Sequence, residues 1–200
     1  MYKCTEICIS CYKYKINDNF LKRLVIILGP VLMGSKSSEL LSFPKHDKYL
    51  LDKIEIIKKY IRNCKRIKYK LFKVKNENIK ILFYNPKVLD KNLKEYKNLR
   101  FLKNMGYPEE YDLEIYLQFL IDKMADGIIP HEIGVFLGYP LKDVIGFIGH
   151  PSLKLTKING WRVYGDPRLS DKRFNEFLED KNEIKKLLKF NEPEEILLSM

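Results

Sequence analysis

The stretch that decides the fold is residues 129–150, IPHEIGVFLGYPLKDVIGFIGH. It holds one His–Glu pair, four glycines and two prolines, and nearly everything else in it is apolar. Its rhythm is that of a helix-turn-helix: a small residue at Gly134, a turn glycine at Gly138, and Val144 where the second helix would meet the first. A DNA-reading unit of this kind projects polar side chains from its second helix into the major groove. The second helix here offers Lys142 and Asp143, then Ile145, Gly146 and Phe147, and the first is apolar on its outer side at Val135 and Phe136. Base edges and phosphates call for hydrogen-bond donors. A segment apolar on nearly all faces is buried on nearly all faces. The expectation is therefore a packed corner, two short helices meeting at a Gly–Tyr–Pro turn inside the protein, with a site only at its polar front edge.

That edge is His131 and Glu132. Pro130 suits the first helical position, which would put both residues in the first turn. There the helix dipole favours Glu132 and disfavours a cationic His131, a sufficient structural reason for the pair. The functional reading is a neutral His beside a carboxylate, acting as general base or metal ligand. Adjacent helical residues point about 100° apart, so the two need not share a site.

Outward from the corner, the pattern gives mostly helices around a small sheet. Asp18 can cap a helix with Phe20, Leu24, Ile27 and Val31 at the 3.6 period. ELLSF (39–43) is a short strand candidate, and a helix after Asp47 places Leu50, Ile54, Ile57 and Ile61 on one face. Residues 67–74 alternate apolar and Lys, and 78–85 form a second strand, so the two read as a hairpin. Pro86 opens helical sequence ending near Gly106, Pro108 starts another helix stopped by Gly127, GWRVYGD (160–166) reads as a last short strand and turn, and a final helix runs from about Ser170 towards Phe190. The fold class is α+β: a single domain, mostly helical, with a small and at least partly antiparallel sheet. Residues 1–14 are read as an N-terminal segment that can move on its own, and 15–200 as the domain.

A chain of 200 residues with 46% hydrophobic and 32% charged residues is globular in composition. Its net charge of +11 suits nucleic acid, an acidic membrane surface or an acidic protein. The excess is mostly Lys, in company with many Ile, Asn and Tyr, a mix that A/T-rich codons produce without selection for a partner. The densest basic run is residues 53–75, which carries the nucleic-acid alternative. No run reaches transmembrane length, and the start lacks the apolar core of a secretory signal, so the expected setting is cytoplasmic with reduced cysteines and no membrane contact.

Two further motifs are tempting. In LVIILGPVLMGSKSS (24–38), Gly29 and Gly34 have phosphate-loop spacing, but Ser35 intervenes before Lys36 and Pro30 removes an N–H group. A helix end followed by a turn accounts for it. Cys4, Cys8 and Cys11 have the spacing of an iron–sulfur triad. That chemistry sits in a large barrel whose strand–helix alternation is missing here, so ordinary thiols are the simpler reading, and a metal or cluster the alternative, with Cys64 as a fourth ligand.

PHEIGVFLGYPLKDVIGFI followed by GWRVYGD resembles the domain-of-unknown-function family 3793, small bacterial proteins without an assigned activity, and GPVLMGSKSSELL is similar to that family's N-terminal pattern. The resemblance implies pattern positions at Pro30, Gly34, Lys36, Pro130, His131, Glu132, Gly134, Gly138, Tyr139, Pro140, Gly146, Trp161, Tyr164 and Gly165. It implies no catalytic role and no cofactor. Relatives carry cysteines before the Trp and in the last helix; this chain has LTKING and FNEFLEDKNEIKKLLKF there, so no thiol function transfers.

The leading expectation is a protein that binds a small molecule or a partner protein near the start of the 130s helix. Lys36, His131, Glu132 and Tyr164 are its candidate binding residues. No reaction class follows from the residues.

Overall fold

Strand β3 (Ile79–Tyr84) is buried at all six positions, and this places everything else. A strand alternates its side chains between two faces, so one buried throughout needs a cover on each. The computed structural model, which describes residues 9–75 and 78–200 with side chains from residue 19 onward, supplies both covers. β3 lies at the centre of a three-stranded sheet between β1 (Ser38–Phe43) and β2 (Lys68–Lys73), antiparallel to each. Ile79, Ile81 and Phe83 face one core, with helices α1 (Ile9–Met33), α2 (Leu50–Ile61), α8 (Arg168–Leu187) and α9 (Pro193–Ser199). Leu82 and Tyr84 face a second core. Its helices are α3 (Pro86–Lys94), α4 (Tyr96–Asn104), α5 (Leu113–Lys123), α6 (Ile133–Phe136) and α7 (Leu141–Ile148). The chain is a single compact α+β domain, mostly helical, as its patterning predicts.

The hairpin, β1 and α2 fall where the periods place them. Other boundaries move for local reasons. The first helix already runs at Ile9, well before Asp18; of its expected inner face Leu24 and Val31 are buried and Ile27 is partly exposed, and Leu21, Val25, Leu28 and Leu32 join the core. The expected boundary at residue 14 also falls inside this helix. The expected single helix from Pro86 is two, broken at Glu95, whose ψ of 128° leaves the helical region. Asp112, not Pro108, starts α5; its carboxylate accepts from the Ile115 N–H at 2.9 Å. A strand missed altogether, β4 (Leu155–Asn159), pairs antiparallel with β5 (Trp161–Tyr164). Its residues are largely exposed, so no alternation marks it. Residues 193–199 pack against α1 as a helix, opened by a reciprocal Glu192–Glu195 capping box.

The 129–150 corner forms as the two short helices expected, with Val144 against Gly134: a Cβ at Gly134 would lie 2.7 Å from Val144 Cγ2. It is buried on fewer faces than its composition suggests. Ile133, Gly134, Val135 and Phe136 are all buried, but Phe147 and Ile148 on the outer side of α7 are more than two-fifths exposed. His131 and Glu132 stand in the turn before α6, which starts at Ile133.

Under α7 runs β5. A Cβ at Gly146 would lie 2.4 Å from Tyr164 Cγ, so the helix reaches the strand only because this position has no side chain. Gly146→Ala is expected to lower stability by about 2 kcal/mol through overpacking, against the helix propensity that favours Ala. Urea unfolding of the variant measures it; an unchanged midpoint would show that the corner has slack.

Candidate functional site

The corner builds a cavity of about 500 Å³ at the start of α6. Ile129, Pro130, Ile133, Val144 and Phe147 give it apolar walls, and Tyr139 and Trp161 close its inner end. Those two rings are stacked, with centroids 4.5 Å apart and planes 14° apart. Stacking of this kind fixes both rings as one slab. The polar groups in the lining are His131, Asp143 and Arg162.

Asp143 is 2% exposed and fully engaged. It accepts from the Lys142 amino group (2.6 Å), Trp161 Nε1–H (2.8 Å), the Tyr164 N–H (2.9 Å) and the Ser170 hydroxyl (2.6 Å). Lys142 also donates to the Tyr164 carbonyl and to Ser170 Oγ, both at 2.8 Å. The carboxylate thus ties α7, β5 and α8 together and sets the plane of Trp161. Saturated as it is, it serves as a strut and not as an acceptor for a ligand.

His131 and Arg162 differ. Both lie at the exposed rim on the same Phe147 ring. The His131 ring meets it edge-on, centroids 5.0 Å apart, and the Arg162 guanidinium carbon lies 5.4 Å from its centroid. Among the described residues neither side chain has a hydrogen bond or an acidic partner. The site therefore joins an apolar body to two unengaged nitrogen donors at one end.

The four expected binding residues go to four different places. His131 lines this cavity. Glu132, 1% exposed, turns inward to an ion pair with Lys123, whose amino group also lies 5.3 Å from the Tyr107 ring centroid. Tyr164 packs its ring beneath Gly146. Lys36, 6% exposed, pairs with Glu39 at 2.7 Å and sits 5.4 Å from the ring centroids of both Tyr139 and Phe177. It lines a smaller cavity of about 180 Å³ on the far side of the Tyr139–Trp161 slab. Asp143 and Arg162 were missed as site residues. The one legible signal was an acidic residue inside an otherwise apolar helix, which asks for buried donors.

The other candidates are placed as follows. Gly29, half of the phosphate-loop spacing, lies inside α1, where a Cβ would stand 3.0 Å from Ile184 Cγ1 of α8; it is a helix-crossing contact. Cys4 and Cys8, and the side chain of Cys11, lie outside the described residues, while Cys64 is a buried free thiol. Among the described residues no group of three His, Cys, Asp or Glu is arranged to hold a metal, and no helix is long and apolar enough to cross a membrane. The 53–75 lysines are spread over α2 and β2, and some are paired: Lys53 with Asp47 and Lys70 with Glu114, each at 2.5 Å.

The family model described as Protein of unknown function (DUF3793) matches residues 24–197. No curated protein and no solved structure matches the chain.

Two outcomes follow from this geometry. Asp143→Ala leaves Trp161 Nε1 and the Tyr164 N–H without their acceptor and Lys142 without its carboxylate, and is expected to cost about 3 kcal/mol, at the low end for a broken buried pair because Lys142 is a quarter exposed. Trp161 is the only tryptophan, so its fluorescence reports the loss directly. The Tyr139 phenol is pushed up to about 12 by burial and by the Glu39 charge, and Tyr84 likewise by burial and by Glu114. A phenol raised above its unfolded value near 10 gives stability that is whole below that value. It is lost as pH climbs from there through the folded value. Unfolding free energy should hold to about pH 10 and fall between 10 and 12, and Tyr139→Phe should flatten the fall.

Proposed function

The chain belongs to the DUF3793 family, which assigns no activity, and from the geometry of its own cavity we propose that it binds a small planar apolar molecule carrying an acidic group. The observation that carries this is the rim pair: His131 and Arg162, both unengaged, on one Phe147 ring at the mouth of an apolar cavity of about 500 Å³. Ligand cavities fall at about 300–1,000 Å³, with apolar walls and a few placed polar groups. The stacked Tyr139–Trp161 slab offers an aromatic wall to a flat body, and Arg162 meets its carboxylate in the two-pronged geometry that a guanidinium favours. Among the described residues that line this space, none is a nucleophile with a base beside it, and the reading offered is one of binding.

A second reading uses the same opening. Exposed Ile128, Ile129, Phe147 and Ile148 border it, which favours an apolar side chain of a partner protein as the occupant.

Naphthoate is a suitable probe, read by quenching of Trp161. Arg162→Gln is expected to weaken it about tenfold, the scale of one charge-assisted hydrogen bond, and His131→Ala to weaken it less, both with unchanged melting. Saturable binding that is equally strong in both variants, or no saturable binding at all, overturns the small-molecule reading. Displacement of naphthoate by a co-purified protein selects the second.

A further inference from the structure

We propose that a second cleft, formed by the turn after α1, the outer face of α3 and α8, binds the phosphate group of a small phosphate monoester or of free phosphate. The cleft has a volume of about 330 Å³ and lies apart from the corner cavity. Its floor is the Gly34–Ser37 turn, folded by two N–H groups, of Gly34 and Lys36, that both donate to the Pro30 carbonyl at 3.0 Å. Lys36 leaves this turn on one side, towards Glu39 and Tyr139, while Ser35 and Ser37 line the cleft on the other.

Three cations stand around the two hydroxyls: Lys87 and Lys91 from α3 and Arg173 from α8. One carboxylate, Glu95, opposes them. Lys87 and Lys91 are spaced i, i+4 and so occupy one helix face, where like charges repel. Among the described residues neither has an acidic partner, and Arg173 has only a long 3.4 Å contact with Glu176. This chain pairs many of its other cations, so two lysines without an acidic partner among the described residues and a weakly paired arginine, facing one concavity, make a site prepared for negative charge.

The independent observation is Ser37. The residue as a whole is 3% exposed, and its hydroxyl, open to the cleft that it lines, takes part in no hydrogen bond among the described residues. A hydroxyl that faces a cleft with no protein partner has its donor and its lone pairs available to a ligand. Ser35 Oγ has only a marginal 3.5 Å contact to the Pro30 carbonyl. Gly138, with φ of +79°, passes over this point, and a Cβ there would lie 3.1 Å from Ser37 Oγ. Its missing side chain leaves the hydroxyl reachable. A tetrahedral oxyanion with several acceptor oxygens satisfies two hydroxyls and the cations together. A terminal phosphate has one substituent and can enter to the floor, whereas a phosphodiester within a nucleic-acid strand is flanked on both sides and stays at the surface.

The test is titration of the full chain with inorganic phosphate and with glycerol phosphate, following backbone amides by NMR and Kd by calorimetry. Saturable shifts at Ser35, Ser37 and Gly138 are expected with both probes. The tighter one tells whether the natural ligand is an ester or the free ion. Lys87→Gln with Lys91→Gln, both surface positions, should weaken binding at least tenfold, and Ser37→Ala severalfold, each with unchanged melting. The proposal is overturned if neither probe gives saturable shifts, if both variants bind as the parent does, or if only duplex DNA moves these amides.

Discussion

One buried carboxylate holds together the half of this molecule that contains the corner cavity. Asp143 gathers donors from α7, β5 and α8, elements that come from opposite covers of the sheet and from the small second sheet. A charge taken out of water is costly unless its lone pairs are filled, and here they are. The consequence is geometric. Trp161 is fixed in one plane by its bond to Asp143, Tyr139 stacks on it, and that slab becomes the wall between the corner cavity and the smaller one beside Lys36. Several positions that carry the family resemblance converge here: Gly134 and Gly146 permit close approach, and Tyr139, Trp161 and Tyr164 fill what remains.

The three-stranded sheet does the complementary work of separation. β3 faces both cores, so the turn leading out of α1 emerges at the sheet edge with both cavities and the basic cleft within reach. Residues 34–38 therefore serve three environments in five positions. Lys36 turns to the aromatic slab, Ser35 and Ser37 to the basic cleft, and Ser38 donates to the Phe136 carbonyl at 2.8 Å, tying the first strand to α6. A stretch that resembles a damaged phosphate loop is a junction, and its lysine is spent on Glu39.

Periodicity made legible whatever a buried stripe dictates: the β2–β3 hairpin, α2, the short helices of the corner and the class of the fold. It was silent where no stripe exists. β4 is exposed nearly throughout and gives no alternation, and Glu95 breaks a helix without a Gly or Pro to announce it. The lining of the candidate cavity was legible only in part. Residue types pointed to His131 and to the polar turn at Lys36, but a sequence does not say that Glu132 turns inward to Lys123 while its neighbour stays out, nor that Lys36 lies behind a ring. Arg162 was invisible because its partner in the site, Phe147, is fifteen residues away and on the one outer face that the apolar composition of α7 concealed.

That concealed face explains why composition alone misjudges this corner. An apolar helix face is hidden only if something covers it, and Phe147 and Ile148 stay more than two-fifths exposed. Instead a guanidinium and an imidazole rest on Phe147, a contact that shields part of the ring while leaving the donors of both groups free. The net positive charge is thus laid out in distinct ways. Paired cations such as Lys53 and Lys70 hold the surface together, Arg162 rests on an aromatic ring at the mouth of the apolar cavity, and Lys87 and Lys91, without an acidic partner among the described residues, line a cleft with two serines. Total charge distinguishes none of these, since each contributes the same +1 to the sum; only the neighbours do, and the neighbours are set by the sheet and by Asp143.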